Sequence, residues 1–286
     1  MVDRVILAMR ASPDWGEFAQ DYAAGIPVPA TRYFPAHDLR FSRDVPRIIE
    51  RWNELSPVSY FECRRRLRDI AEANLTKVER VIRVGWPGVP GVLEELDEAS
   101  LLLFYLDDDD WFHPDLVDMC EEIDASSIDV AVFPYLRLAA SVTTFTRGGQ
   151  PTPHAVGRYE PFKYRYCTNN YGLTARALSS GASLLEHSSA SQAGVDLGFV
   201  DLHVDEIVSA TSKTPCSASW LPELPLEKDA FDRYIRTYIE TLEALQIPSA
   251  LAWVEAPLRE TLVLFREVCS SSPSAAMRRP QVRSNA

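Results

Sequence analysis

The stretch "SLLLFYLDDDDWFHPDL", Ser100–Leu116, joins six consecutive apolar residues to four aspartates. A strand with one solvated face needs apolar residues only at alternate positions, so the run Leu101–Leu106 predicts a central strand covered on both faces. The aspartates then follow its C-terminal end. In open α/β sheets that edge is where ligands bind, which makes the acidic run the first candidate for a functional site.

The charges in this run need a physical explanation. If the backbone stays extended, Asp107 and Asp109 point to the same side. Two carboxylates about 4 Å apart repel by roughly 4 kcal/mol at an effective dielectric of 20, and by only about 1 kcal/mol in water. A partly buried pair therefore favours a bound cation, and oxygen-only ligands select Mg²⁺, Mn²⁺ or Ca²⁺. The alternative is a solvated acidic loop in which Asp110 caps the following helix.

Apolar runs alternate with amphipathic segments through the first half of the chain. This alternation predicts an α/β fold with a mostly parallel central sheet flanked by helices. Besides Leu101–Leu106, the predicted strands are Arg4–Arg10, Val78–Trp86 and Asp129–Ala140, and the predicted helices are Asp44–Leu55, Tyr60–Leu75, Val92–Ala99 and His113–Ala125.

The pattern changes after about Thr143. Thr146–Gly157 is rich in Gly and Pro and predicts a loop. Asp229–Leu245 predicts a helix with one apolar face, formed by Phe231, Ile235, Tyr238, Ile239 and Leu242. We therefore expect a main domain over residues 1–225, a C-terminal helical extension over 226–270 that packs on it, and a disordered tail over 271–286.

Composition narrows the class of protein. The 286 residues are 46% hydrophobic and carry a net charge of −12, which disfavours binding to bulk nucleic acid. The five cysteines are scattered without a CxxC pair, so we expect reduced thiols in a cytoplasmic protein. No apolar run approaches the roughly 18 residues that span a bilayer, although the chain could lie against a membrane surface.

Three stretches of the chain resemble segments of a known family. "LLLFYLDDDDWFHPDLV" resembles the metal-binding DxD segment of GT-A-fold glycosyltransferases, and more narrowly that of family 2-like enzymes and the rhamnosyltransferases. "YCTNNYGLTARAL", Tyr166–Leu178, and "KTPCSASWL", Lys213–Leu221, also resemble segments of the latter group and follow in the same order.

The resemblance implies a GT-A-like fold and a metal-dependent transferase. The enzyme would move a sugar from a nucleoside-diphosphate donor to a glycan or another hydroxyl acceptor, in bacterial glycan or polysaccharide synthesis. Asp107 and Asp109 would hold Mn²⁺ or Mg²⁺, and Asp107 and Asp108 would contact the donor. The cation would neutralise the departing nucleoside diphosphate.

An inverting enzyme also needs a carboxylate that takes the proton of the acceptor hydroxyl. The resemblance places this base downstream of the DxD segment, where Glu186 is our candidate and Asp205 the alternative. Asp201 and Glu206 are also eligible. His187, beside Glu186, is a candidate third metal ligand or diphosphate contact, and a satisfied surface histidine is the alternative.

Further candidates follow from side-chain chemistry. The guanidinium fork suits phosphate, so Arg10, Arg64 and Arg68 are predicted donor contacts; the last two share one face of a helix. Asn169 and Asn170 are predicted sugar contacts, because amides both donate and accept, or else turn residues. Trp111 is a predicted stacking platform, with core packing as the alternative.

Two other functions remain open from the sequence. Family 2 enzymes usually open with a strand that ends in Pro-x-x-Asn, and this chain has "RVILAMRASPDW" instead, which keeps open a catalytically degenerate sugar- or partner-binding protein. A haloacid-dehalogenase-like phosphatase also sets D-x-D after an apolar strand. That family wants Thr or Val two places after the second aspartate, where this chain has Trp111.

Overall fold

The structure is a computed structural model. It describes residues 2, 4–9, 39–75, 81–85, 101–106, 110–140, 153–159, 170–180, 194–217, 221 and 224–269. Arg10, Asp107–Asp109, Asn169, Glu186, His187, the predicted helix Val92–Ala99 and the predicted tail 271–286 lie outside the described residues.

The described residues form a mixed α/β structure. Its helices are α1 (Leu39–Leu55), α2 (Tyr60–Ala73), α3 (Leu116–Cys120), α4 (Ala175–Ser179), α5 (Lys228–Glu243), the 3₁₀ helix Ser249–Val254 and α6 (Glu255–Cys269). Its strands are β1 (Arg4–Met9), β2 (Val81–Gly85), β3 (Leu101–Leu106), β4 (Asp110–Phe112), β5 (Val130–Val132), β6 (Tyr135–Ala140), β7 (Pro153–Tyr159), β8 (Tyr171–Leu173), β9 (Asp201–His203) and β10 (Ser209–Lys213).

The strands form two sheets. The larger has the order β2-β1-β3-β8-β5-β9, and the smaller has the order β4-β10-β6-β7. In the larger sheet β8 is antiparallel to both of its neighbours, while the other described pairings are parallel. The sheet is therefore mixed, whereas the alternation of strands and helices predicts a mostly parallel one.

The prediction of a central strand is confirmed. β3 lies between β1 and β8, and Leu101 to Phe104 are each at most 1% exposed. The Phe104 ring contacts two other aromatic rings, with centroids 5.6 Å from Phe112 and 5.7 Å from Phe133. Phe112 lies in β4 of the smaller sheet, and Phe133 lies between β5 of the larger sheet and β6 of the smaller one. The Phe104 ring therefore packs against both segments in which the chain passes between the sheets.

Two predictions for the middle of the chain are wrong. Asp129–Ala140 is not one strand, because the chain leaves the larger sheet after Val132 and enters the smaller one at Tyr135. Pro134 has no N–H to donate to a continuing ladder. Pro153–Gly157, predicted as part of a loop, belongs to β7, an edge strand of the smaller sheet among the described strands, where proline is tolerated.

The predicted helices are mostly confirmed. α1 begins five residues earlier than predicted, at Leu39, and α2 matches closely. The five apolar residues predicted to share a face of the C-terminal helix are all buried on α5. Only Leu116–Cys120 of the predicted helix His113–Ala125 is helical, since Pro114 and Asp115 form a turn before it.

The C-terminal helices join the same hydrophobic core as the sheets. Phe231 and Tyr238 of α5 and Phe265 of α6 lie in one buried cluster with Phe104 of the larger sheet. The guanidinium of Arg66 on α2 also binds the carboxylate of Glu267 on α6 through two hydrogen bonds of 2.6 and 3.0 Å. The described C-terminal helices therefore pack in the same core as the sheets, and the division of the chain into a main domain and an extension stays a prediction.

Two smaller findings bear on the expectations from composition. Cys63, Cys120, Cys216 and Cys269 are free thiols, and Cys167 lies outside the described residues. Burial raises the pKa of the Cys120 thiol to about 12. Within the described part of the chain, no helix is both long enough and apolar enough to traverse a bilayer.

Gly172 has a specific packing role that can be tested. It lies opposite Phe104 in the β3–β8 pairing, and a Cβ at position 172 would lie 2.8 Å from Cζ of that ring. The ring is fully buried, so it has little room to move. We expect Gly172→Ala to lower the free energy of unfolding by about 1–3 kcal/mol, measured by urea denaturation.

The matched control for this prediction is a double-mutant cycle. Phe104→Leu in the Gly172→Ala background removes the ring that clashes. The double variant should therefore lose less free energy of unfolding than the sum of the losses in the two single variants. Strictly additive losses would show that the methyl group and the ring do not compete for the same space.

Candidate functional site

The ends of the parallel strands form a common edge of the larger sheet. Met9, the last residue of β1, pairs with Gly85, the last residue of β2, and with Leu106, the last residue of β3. The three strands therefore end level with one another. β5 and β9 run in the same direction, because β8 is antiparallel to both β3 and β5.

The strand order creates a switch point at this edge. β1 has β2 on one side and β3 on the other, so the chain moves first one way and then back across β1. In open α/β sheets, ligands bind in the crevice outside the carboxyl ends of the strands at such a point. We therefore take the edge beyond Met9 and Leu106 as the candidate functional site.

Two predicted site residues follow these strand ends directly in the sequence. Arg10 comes after Met9, and Asp107 comes after Leu106. Asp107–Asp109 connect β3 of the larger sheet to Asp110, the first residue of β4 in the smaller sheet. The structure describes Leu106 and Asp110 on either side of this segment, and the predicted roles of the three side chains stay predictions.

Asp110 differs from the role considered for it. It is 1% exposed, and its Oδ1 accepts a hydrogen bond of 3.1 Å from the backbone N–H of Ser212 on β10. The N-cap position of the following helix is Asp115, which makes no side-chain capping bond. The interpretation of Asp110 as a helix cap is therefore wrong, and its carboxylate instead joins two strands of the smaller sheet.

Asn170 lies at the same edge, because it immediately precedes the antiparallel strand β8. It is fully buried, and its Nδ2 donates to the carbonyl oxygen of Phe133 at 2.8 Å. The backbone carbonyl oxygen of Asn170 accepts from the backbone N–H of Phe133, also at 2.8 Å. Asn170 thus holds the corner where the chain passes from β5 to β6, and its contact with a sugar stays a prediction.

Trp111 is packed in the core. Its side chain is 1% exposed and belongs to the main hydrophobic cluster. Stacking on a sugar would require the ring to leave this cluster, so the structure favours the core-packing alternative for Trp111.

Asp205 and Glu206 are exposed, in the short connection between β9 and β10. Asp205 follows the end of β9 by two residues, which puts it at the same sheet edge as Leu106. Three strand spacings separate β9 from β3, a distance of about 14 Å. The role of Asp205 as the alternative base stays a prediction.

Arg64 has a position that sequence reasoning did not foresee. Ser59 caps α2 by accepting a hydrogen bond from the Glu62 N–H, which fixes where the helix begins. Arg64 is then 7% exposed, and its Nη1 donates at 2.9 Å to the carbonyl oxygen of Cys216, just beyond β10. The same oxygen accepts from the Tyr60 hydroxyl at 3.0 Å.

We call the binding of the Cys216 carbonyl oxygen by Arg64 and Tyr60 the clamp. The thiols of Cys63 and Cys216 beside it are also buried. Sγ of Cys63 lies 3.7 Å from Sγ of Cys216. Burial, helped by this contact, raises the pKa of the Cys63 thiol well above its ordinary value, so the thiol stays protonated near neutral pH. Residues on one face of α2 thus contact Cys216, in the segment that follows β10.

Arg68 is more exposed than Arg64. Its Nε lies 3.9 Å from Oε1 of Glu72 on the same helix. The two arginines therefore differ in burial and partners, although the helical spacing puts them on one face. Contact of either with a donor phosphate stays a prediction.

No group of three or more His, Cys, Asp or Glu side chains suited to a metal ion occurs among the described residues. The predicted ligands Asp107, Asp109 and His187 lie outside them, as does the predicted base Glu186. Sequence reasoning missed the contact between Asp110 and Ser212. The one signal for it in the sequence was the fourth aspartate, which is more than a D-x-D motif requires.

Comparisons with known proteins give little further information. A scan against protein-family models finds no match, and a search of curated proteins finds no relative. Among solved structures, TarS 1–349 of S. aureus in complex with UDP-GlcNAc matches at 12% identity and a TM-score of 0.34, covering 92% of this chain and 72% of that one. TarS 1–349 without that ligand matches at 11% identity and a TM-score of 0.31, covering 92% and 71%. Likeness at this level does not establish a shared fold, so the functional interpretation rests on the chain's own residues.

The structural role of Arg64 gives a testable contrast with Arg68. Arg64→Met keeps an apolar stem but removes the buried donor to the Cys216 carbonyl, so we expect the free energy of unfolding to fall by about 1.5–3 kcal/mol. Arg68→Met removes only a long, partly exposed ion pair and should change it by less than about 0.5 kcal/mol. Urea denaturation of both variants measures the difference, and equal losses would contradict a clamp at Arg64.

Proposed function

We propose that this protein is a glycosyltransferase that moves a sugar from a nucleoside-diphosphate donor to a hydroxyl acceptor. One observation carries the proposal. The buried strand β3 ends level with β1 at the switch-point edge, directly before Asp107. A chain that places several adjacent carboxylates at this edge can bind a ligand that brings a hard cation with it, and a diphosphate is such a ligand.

The donor atoms in the segment fit a divalent ion. Asp107 and Asp109 offer only carboxylate oxygens, which Mg²⁺ and Mn²⁺ prefer, and Asp110 is already engaged with Ser212. These two aspartates would hold the ion, with His187 as the candidate third ligand. When bound, the ion would stabilise the charge that develops on the departing nucleoside diphosphate.

The remaining chemistry belongs to side chains of this chain. The acceptor oxygen forms a bond to the anomeric carbon as the bond from that carbon to the diphosphate oxygen breaks, and the acceptor's proton passes to a carboxylate. Glu186 is the candidate base and Asp205 the alternative. Asp205 is exposed at the same edge, where an incoming acceptor can reach it. Arg10, which follows the level end of β1, is the candidate for the donor phosphates.

The acceptor class is a glycan or another hydroxyl compound, and bacterial polysaccharide synthesis is the setting that the motif resemblance favours. The acidic net charge of −12 is consistent with a ligand that is neutralised by its own cation rather than by a basic surface.

Joint binding of metal and nucleotide tests the proposal. Mn²⁺ and a nucleoside diphosphate, taken in turn from UDP, GDP and dTDP, should each raise the melting temperature more in the presence of the other. The gain corresponds to about 2.7 kcal/mol when the ligand is at a hundred times its dissociation constant. Differential scanning fluorimetry measures the shift. A response to neither ligand would indicate a protein that does not use a nucleotide sugar, and phosphate release from an aryl phosphate would indicate a phosphatase.

Substitutions in the acidic segment test the assigned residues. Asp107→Asn and Asp109→Asn should each lower transfer by at least about a hundredfold, since the developing charge on the leaving group loses its stabilisation. The joint thermal shift should disappear while the far-UV circular dichroism spectrum stays the same. Asp229→Asn, which removes an exposed carboxylate on α5, is the control and should retain both properties. Normal turnover in either test variant would contradict the role of that aspartate.

A further inference from the structure

We propose that Cys63 and Cys216 form a site of reversible oxidation, at which a hydroperoxide converts two neighbouring thiols into a disulfide. The disulfide would join α2 to the segment that follows β10. The proposal is argued from contacts between described residues and does not depend on the proposed function.

The two sulfur atoms are already in contact, although 153 residues separate them in the sequence. Sγ of Cys63 lies 3.7 Å from Sγ of Cys216, and both residues are fully buried. The sulfur–sulfur bond of a disulfide is about 2.0 Å long, so the two atoms need to approach by roughly 1.7 Å. Rotation of both side chains about their Cα–Cβ bonds can share a movement of this size.

The backbone is fixed on each side of the contact. Cys63 lies in the first turn of α2, and its N–H donates to the carbonyl oxygen of Ser59, the capping residue, at 2.9 Å. Cys216 lies in a turn that is closed from both ends. The N–H of Thr214 donates to Oγ of Ser217 at 2.8 Å, and the N–H of Ser217 donates to the carbonyl oxygen of Thr214 at 3.0 Å.

The clamp determines which thiols are neighbours. Tyr60, Cys63 and Arg64 are three and four residues apart on α2, so they share one face of the helix. Each of them contacts Cys216: the hydroxyl and the guanidinium bind its carbonyl oxygen, and the thiol contacts its sulfur. The folded chain therefore holds the Cys216 sulfur beside Cys63.

The proposed reaction balances with one molecule of hydrogen peroxide. The thiolate of one cysteine attacks a peroxide oxygen, the O–O bond breaks, and a sulfenic acid and one water form. The second sulfur then attacks the sulfenic sulfur. The S–S bond forms as the S–O bond breaks, and a second water leaves. The two sulfurs together lose two electrons, which the peroxide gains, and a thiol reductant such as dithiothreitol reverses the change.

Burial affects the rate of this reaction, and the contact determines its product. The thiolate is the reactive form, and burial raises the pKa of the Cys63 thiol, so the first step is slow near neutral pH. A sulfenic acid condenses with a neighbouring thiol to a disulfide, and without one it is oxidised further to a sulfinic acid. Cys120 is equally buried and contacts no other thiol among the described residues, so it is an internal comparison.

Peptide mapping tests the proposal directly. The reduced full-length protein is treated with hydrogen peroxide, with and without urea, then alkylated, digested and analysed by mass spectrometry. We expect a disulfide between Cys63 and Cys216 as the main product of the folded protein. Relative to other cysteine pairs, it should be at least about tenfold more abundant than in urea, because the fold holds these two thiols together. Dithiothreitol should restore both thiols.

Three variants test the role of the contact. In Cys216→Ser the second thiol is absent, so oxidation of Cys63 should proceed to the sulfinic acid. Arg64→Met keeps both thiols and removes one bond of the clamp, so the ratio of disulfide to sulfinic acid at Cys63 should fall by about threefold or more. Arg68→Met, on the same helix but outside the clamp, is the matched control and should keep the ratio of the unchanged protein.

Several outcomes in the unchanged protein would overturn the inference, and they decide it even if a variant does not fold. One is recovery of Cys63 and Cys216 as thiols at a peroxide concentration that oxidises the more exposed Cys269. Another is sulfinic acid as the main product at Cys63, which would show that Cys216 does not capture the sulfenic acid. Equal abundance of the pair with and without urea would show that the fold does not select it.

Discussion

A strand that is covered on both faces can place charged groups only at its ends. β3 meets this constraint, because Leu101 to Phe104 are buried and neighbouring strands lie on either side of it. The polar chemistry of this part of the chain is therefore concentrated after Leu106. The level ends of β1 and β2 bring their following residues to the same edge, so the location of the candidate site follows from the burial of one strand.

Two chain crossings near this edge link the sheets. One runs from β3 to β4 through the acidic segment, and the other runs from β5 to β6 through Phe133 and Pro134. Asn170 stabilises the second crossing with paired hydrogen bonds, and Asp110 stabilises the end of the first. Polar side chains that could have been expected to bind ligand thus also hold the backbone around the site.

The sequence predicted those features that depend on a clear period. The six apolar residues before Asp107 predicted a central strand, and the spacing from Phe231 to Leu242 predicted the buried face of α5. Prediction from the sequence failed where contacts between residues far apart in the chain decide the structure. Phe133 and Pro134 continue an apolar run, so periodicity does not reveal that the chain changes sheets there. β8 has only three residues, and no local pattern tells which direction so short a strand takes.

The candidate site was predicted in the same uneven way. Its place at the end of β3 follows from the sequence, but the burial of Arg64, Asn170 and Trp111 depends on partners far along the chain. The carbonyl that Arg64 binds is 152 residues away in the sequence. Residue chemistry can nominate an arginine, an amide or an indole for a ligand, and only the tertiary contacts show that the fold already uses it.

The contact between Phe104 and Gly172 has a consequence for how this sequence can diverge. The ring occupies the volume that a side chain at position 172 would need, so the side chains at the two positions cannot both be large. A descendant that enlarges position 172 must shrink position 104, and the smaller residue would leave Phe112 and Phe133 without their common neighbour. Four positions, distant along the chain, are therefore expected to change as a set or stay as they are.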